Sequence, residues 1–286
     1  MILENEMKKN YNNIFGEMLS VEDHKKIQLD ILKFVADYCE KKGLRYFLAD
    51  GTLIGAVRHH GFIPWDDDID IQMPRPDLVK LIESFNAESG TEKYHLVYPK
   101  DPMAQHYMVK IIDTDTVKIE PYLDYSKGFL GVDIDVFALD GCPDDEQEFI
   151  KWGLEIRGYN KAYAYKKRDS WHSFLSRGKD IVKKRTIAKF VPFLSAEGII
   201  DRVYSLVNNY PYDNSKYIAR IGIFDHFRTQ RDLWEPEYME FEGNMFRVPK
   251  GYDEILTKQY GDYMKLPPIE QQVTHHVNYV FWKNNK

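Results

Sequence analysis

The chain has 286 residues, 43% of them hydrophobic and 14% aromatic, which is enough for one large domain or a domain plus a lobe and excludes a disordered polymer. Its 39 Lys and Arg against 45 Asp and Glu leave a net charge of -6, which disfavours general nucleic-acid binding. Two cysteines, Cys39 and Cys142, exclude a disulfide framework or a structural zinc site, and fit a reducing compartment. The polar start and the lack of any apolar run near the ~18 residues of a span lead to the expectation of a soluble, cytoplasmic protein. Basic stretches at Lys166, Lys167, Arg168 and at Lys183, Lys184, Arg185 read as solvated helix faces or as a surface for an anionic polymer or membrane. The 20 Tyr and 16 Phe supply core, or faces for sugars and quaternary ammonium groups.

In chain order, apolar residues at Ile27, Leu29, Ile31, Leu32, Val35 and Ala36 predict an amphipathic helix over Val21 to Lys41, ended by Gly43. A short strand follows at Arg45 to Leu48, then a short helix at Thr52 to His59 and a turn at Gly61 and Pro64. Ile69 to Met73 reads as a strand and Asp77 to Phe85 as a helix. Strands come next near His95 to Tyr98, Tyr107 to Ile112 and Gly131 to Phe137. After Gly141 and Pro143 the pattern turns helical, over Asp144 to Lys166, Trp171 to Phe190 and Glu197 to Asn208. The end mixes short strands, such as Met239 to Val248, with a helix at Tyr252 to Tyr260. The reading is an α+β chain: a mixed-sheet core over residues 1–141 with flanking helices, and a mainly helical lobe with C-terminal strands over residues 142–286.

The densest chemistry lies in Trp65-Asp66-Asp67-Asp68-Ile69-Asp70-Ile71-Gln72-Met73. On a strand, alternate residues share a face, so Asp68, Asp70 and Gln72 line one side while Ile69, Ile71 and Met73 line the core. Carboxylates two residues apart lie about 6 to 7 Å from one another at the backbone and repel unless a cation sits between them. Hard oxygen ligands of this kind suit Mg²⁺ or Mn²⁺, which in turn hold phosphate oxygens. Val132-Asp133-Ile134-Asp135-Val136 repeats the device and offers a third carboxylate, although spacing alone does not say whether the two strands are neighbours. Charged edge strands explain the acids but not the strongly apolar opposite faces. An EF-hand loop fails, because Ile71 stands where glycine is needed and Asp77 where Glu is needed.

Ahead of the acidic strand, Asp50-Gly51-Thr52-Leu53-Ile54-Gly55-Ala56-Val57-Arg58 joins a strand to a helix. A helix opened by Gly51 and Thr52 presents free N–H groups to a phosphate, and Thr52 is also a candidate helix cap. Arg58 is a candidate partner for a phosphate or for one of the acids.

Leu48 to Arg58 followed by Gly61-Phe62-Ile63-Pro64-Trp65-Asp66-Asp67-Asp68-Ile69-Asp70-Ile71 closely resembles the signature of the LicD family, whose eukaryotic relatives include fukutin and the fukutin-related protein. Lys110 to Thr116, Ile134 to Phe137 with Leu139-Asp140-Gly141, and Tyr260 to Pro268 look like the family as well. The resemblance implies a nucleotidyltransferase-like fold, with Asp68 and Asp70 as paired metal ligands, Asp135 as the third and Asp66 as an outer one. It further implies transfer of phosphocholine, or ribitol or glycerol phosphate, from a CDP carrier to a sugar hydroxyl of lipopolysaccharide, teichoic acid or a protein glycan.

On that reading Mg²⁺ bridges the diphosphate, Asp135 or Asp133 accepts the attacking hydroxyl's proton, and Lys110 and Arg58 steady the phosphates. Trp65 is a candidate face for a choline ammonium. With only Cys39 and Cys142 the chain cannot build the zinc site of the fukutin-related branch, so the bacterial branch fits better. The expected partners are a CDP-linked donor such as CDP-choline and a glycan acceptor, with peripheral contact to a membrane-bound glycolipid precursor at the inner face. The competing readings are a nucleotidyltransferase that releases pyrophosphate, a sugar transferase with an Asp-x-Asp metal site, and a noncatalytic glycan-binding scaffold.

Overall fold

The computed structural model of the chain describes residues 15–120, 128–167, 194–222, 226–274 and 279–284, so the helix expected over Trp171 to Phe190 lies outside the described residues. Strand β1 (Phe15–Met18) leads into helix α1 (Val21–Lys42). Ser20 caps α1 by accepting from the Asp23 amide, and Gly43 at φ +65° ends it, donating to Cys39 and Glu40 carbonyls. Then come β2 (Phe47–Leu48), α2 (Asp50–His59), β3 (Asp70–Pro74), α3 (Arg75–Glu88), β4 (Tyr94–Val97), β5 (Val109–Asp113), β6 (Thr116–Ile119) and β7 (Asp133–Gly141). The rest of the described chain forms α4 (Glu146–Lys166), α5 (Ala196–Val207), β8 (Tyr217–Ile221), β9 (His226–Gln230), β10 (Pro236–Phe241), β11 (Asn244–Pro249), α6 (Tyr252–Tyr260) and β12 (Tyr279–Lys283).

The chain is α+β, as its pattern predicts. A mixed sheet of seven strands runs β2-β3-β7-β5-β4, with β8 paired to the end of β7 and β9 to β8. β3 and β7 are parallel neighbours, and their other partners are antiparallel. Alternation does what the sequence implies: Ile69, Ile71, Met73, Val132, Ile134 and Val136 share one buried cluster with Ile31, Leu32 and Val35 of α1. That helix lies across β5 and β7.

Among the described residues, part of the later half of the chain is continuous with this sheet. β8 hydrogen-bonds Asp140 and Gly141 at the end of β7, so it joins the same sheet. Helices α4 and α5 pack together over it, burying Phe149, Trp152, Ile156, Val203 and Val207 with Ala219 and Ile221. The expected Met239 to Val248 strand is a hairpin, β10-β11, whose turn uses positive φ at Glu242 and Gly243 and which packs on β2. A second small sheet, β1-β12-β6, has no counterpart in the sequence reading. No helix among the described residues is long and apolar enough to cross a membrane.

Candidate active site

The two acidic motifs meet. β3 and β7 lie side by side with Asp70 opposite Asp135, and the Asp135 amide donates to the Ile69 carbonyl at 2.9 Å. β3 starts at Asp70, so Asp68 belongs to the segment that leads into the strand rather than to the strand itself. The Asp70 backbone is gripped from both sides: its carbonyl accepts from the Ala49 amide at 3.0 Å, and its amide donates to Thr52 Oγ1 at 2.9 Å. Thr52 therefore ties the strand down and does not cap the helix; Ala49 occupies the cap position, with no side-chain hydrogen bond. Asp66 lies directly over Gly51, where a Cβ would collide with its carboxylate. That contact gives a reason for glycine here.

Burial, then the charges of Asp68, Asp50 and Asp135, push the Asp70 carboxyl well above the usual carboxylate range, and the Arg220 charge opposes them. Mutually repelling carboxylates are the donor set a hard divalent cation fits. Among the described residues no three His, Cys, Asp or Glu side chains are already drawn together as a cage.

Beside the acids stands a pair of lysines. Lys110 on β5 is opposite Asp135 in register, and its ammonium bonds both Asp135 and Asp133. Lys118 on β6 donates to the other Asp133 oxygen at 2.6 Å. Asp133 is thus committed to two ammonium groups: burial pushes its carboxyl up, but Lys110 and then Lys118 hold it far below the usual range. Asp133 is thereby grouped with the two lysines, while Asp135 pairs with Lys110 and stands opposite Asp70. Burial works against the charge on Lys110, and Asp133 and Asp135 more than offset it, so it stays protonated. A cleft of about 200 Å³ opens here, walled by Asp67, Asp68, Asp135, Lys110, Lys118 and His106.

Arg58 and Trp65, two expected binding residues, have protein partners of their own. The Arg58 guanidinium donates to the Tyr263 carbonyl at 2.5 Å and to His59, so it holds a loop to α2 and is not among the cleft residues. The Trp65 ring packs against the main core and stands edge-on to His59 at 6.3 Å. Sequence reasoning missed Lys118, Arg220 and Gln259, which sit in ordinary strand and helix strings, and it assigned no role to Asp50 or Tyr260 although both lie within quoted motifs.

The sequence profile described as LicD/FKTN/FKRP, nucleotidyltransferase domain, matches residues 43–151, the stretch that holds both acidic strands, Lys110 and Lys118. The lipopolysaccharide cholinephosphotransferase LicD of Haemophilus influenzae is 32% identical over 267 residues, covering 91% of this chain and 97% of that protein. Human ribitol 5-phosphate transferase FKRP is 27% identical over 97 residues, which cover 33% of this chain and 20% of that protein. An uncharacterized Rickettsia prowazekii protein, RP689, shares 35% identity over 71 residues, 24% of this chain and 27% of its own. With the acidic strands on a nucleotidyltransferase-like core and similarity to a cholinephosphotransferase along nearly its whole length, the chain belongs to the LicD family of phosphotransferases.

Proposed function

We propose that the enzyme transfers phosphocholine, or a related phospho-alcohol, from a CDP-linked donor to a hydroxyl of a cell-surface glycan such as lipopolysaccharide or teichoic acid, releasing CMP. The observation that carries this reading is the juxtaposition of Asp70 and Asp135 across parallel strands, with Lys110 bonded to Asp135 at the cleft wall. The name of the H. influenzae relative supports phosphocholine as cargo and a lipopolysaccharide-type acceptor. Asp68, Asp70 and Asp135 would hold Mg²⁺ or Mn²⁺, with Asp66 as an outer ligand. When bound, such an ion neutralises charge on the diphosphate and on the transferred group.

The protein's own groups do the rest. Lys110 and Lys118 stay protonated in the cleft wall and present positive charge to phosphate oxygens. Asp135, fixed between Lys110 and the neighbouring strand, orients the attacking hydroxyl and accepts its proton. In this reading residues 142–286 form the acceptor side, and the reaction runs at the cytoplasmic face of the membrane against a glycolipid precursor.

The test is CMP release from CDP-choline, CDP-ribitol and CDP-glycerol, with and without Mg²⁺, for the wild type and Asp70→Asn. Metal-dependent release from one donor, lost in Asp70→Asn, supports the reading and names the cargo. Pyrophosphate release from a nucleoside triphosphate, with no CMP from any donor, would replace it by nucleotidyl transfer.

A further inference from the structure

Asp50 has a main chain that residues other than glycine seldom adopt, at φ +47°, and its carboxylate is buried beneath the site. Three donors from distant parts of the chain converge on it: the Arg220 guanidinium on β8, Gln259 Nε2 at 2.5 Å and the Tyr260 hydroxyl at 2.9 Å, both of the latter on α6. Its neighbours Ala49 and Thr52 are the two residues that grip the Asp70 backbone. Whatever holds Asp50 therefore holds the strand that carries Asp70.

Arg220 is itself packed against two aromatic rings. Its guanidinium lies 5.2 Å from the Phe137 ring centre and 5.5 Å from that of Phe227. Phe137 follows Asp135 by two residues on β7, so it projects from the same face of that strand. One cation thus contacts a ring on the Asp135 strand and the carboxylate that anchors the Asp70 strand, and its charge opposes the crowding of negative charge at Asp70. A planar, delocalised cation suits a slot between two rings, and an ammonium does not.

We infer that Arg220 is a positioning residue for the transfer: through Asp50 and Thr52 it fixes Asp70 against Asp135 without touching substrate. The kinetic part of this inference rests on the proposed reaction; the structural part does not. The experiment therefore has two arms, on wild type, Arg220→Lys and Tyr260→Phe.

Amide hydrogen exchange by NMR reads the grip itself. In Arg220→Lys the Asp70 amide should exchange about tenfold faster, the loss of one charge-assisted bond, while amides of Ile31 to Val35 in α1 keep their protection. Steady-state CMP release from the active donor should show kcat lowered by about tenfold or more, with KM changed less than about threefold. Tyr260→Phe, which removes the bond from a neutral hydroxyl to the same carboxylate, should move both readouts the same way by about threefold or more, and it serves if Arg220→Lys does not fold. An Asp70 amide that exchanges at the wild-type rate in the folded variants, or a kcat within twofold of wild type, overturns the inference. Wild type that releases no CMP from any donor defeats the proposed reaction instead, and the exchange arm then decides the grip alone.

Discussion

Replacing Asp133 by Asn should cost the protein a large part of its stability, although the residue lies among the acids that the sequence marks as catalytic. Asp133 is 3% exposed, and the Lys110 and Lys118 side chains that share its carboxylate are 6% and 10% exposed. Asn keeps the shape and removes the charge, which leaves Lys110 with Asp135 and Lys118 with Glu120 at 3.6 Å. Removing one partner of a buried ion pair costs about 3–5 kcal/mol, and the remaining acids place this case near the lower end. Against a total of about 5–15 kcal/mol for a folded domain, that is a severe loss.

In urea, where stability falls by about 1–3 kcal/mol per molar, the midpoint should drop by about 1–2 M. Because the folded carboxyl is held below its unfolded value, its contribution is complete above the unfolded value and fades only as pH falls toward the folded one. The difference between variant and wild type should therefore be the same at pH 7 and pH 5. A midpoint within about 0.3 M of wild type would show that the lysines do not depend on Asp133.

His24 is 7% exposed, and burial, with Lys118 adding to it, lowers its pKa from 6.5 to about 4. The unfolded chain takes up that proton first as pH falls, so wild type should lose about 2 kcal/mol between pH 7 and pH 5 from this group; His24→Gln should lack that share of the loss in urea titrations at the two pH values. Asp70→Asn, which removes a carboxylate crowded by Asp68, Asp50 and Asp135, should raise the metal-free melting temperature by about 2–4 °C, roughly 1 kcal/mol. A lower melting temperature for this variant would mean that the repulsion is already relieved by protein groups. Burial pushes the Cys39 and Cys142 thiols up to about 12, so native protein should leave both unreacted with a thiol reagent at pH 8, and urea should expose both.

The acidic site was legible because alternation is a strong signal: each Asp-x-Asp is interleaved with Ile or Val, and those apolar faces do enter the core. What spacing could not supply was adjacency. That Asp70 faces Asp135 is a matter of β3 and β7 being parallel neighbours, a relation between strands that no local pattern encodes. The same limit explains Asp133 and Asp135: identical in sequence context, they part company because Lys110 and Lys118 arrive from β5 and β6. The cap alternative for Thr52 fails for a related reason. Its hydroxyl has a long-range partner, the Asp70 amide, that outcompetes the local one. Strands β1, β6 and β12 have no counterpart in the sequence reading; β12 joins the other two from the far end of the described chain, another relation that no local pattern encodes.

The bond from Arg220 to Asp50 closes a loop of 170 residues, and those from Gln259 and Tyr260 close still longer ones. A chain emerging from the ribosome can lay down the acidic strands early, yet it cannot tie the turn beneath them until α6 has been made. The two parallel strands are themselves a pairing that forms slowly, because the connection between them must be closed before any contact repays the lost freedom. An incomplete chain thus exposes clustered acids without the contacts that organise them. Activity should appear late in synthesis and in one step, and proteins cut short before α6 should be inert even where both Asp-x-Asp motifs are intact.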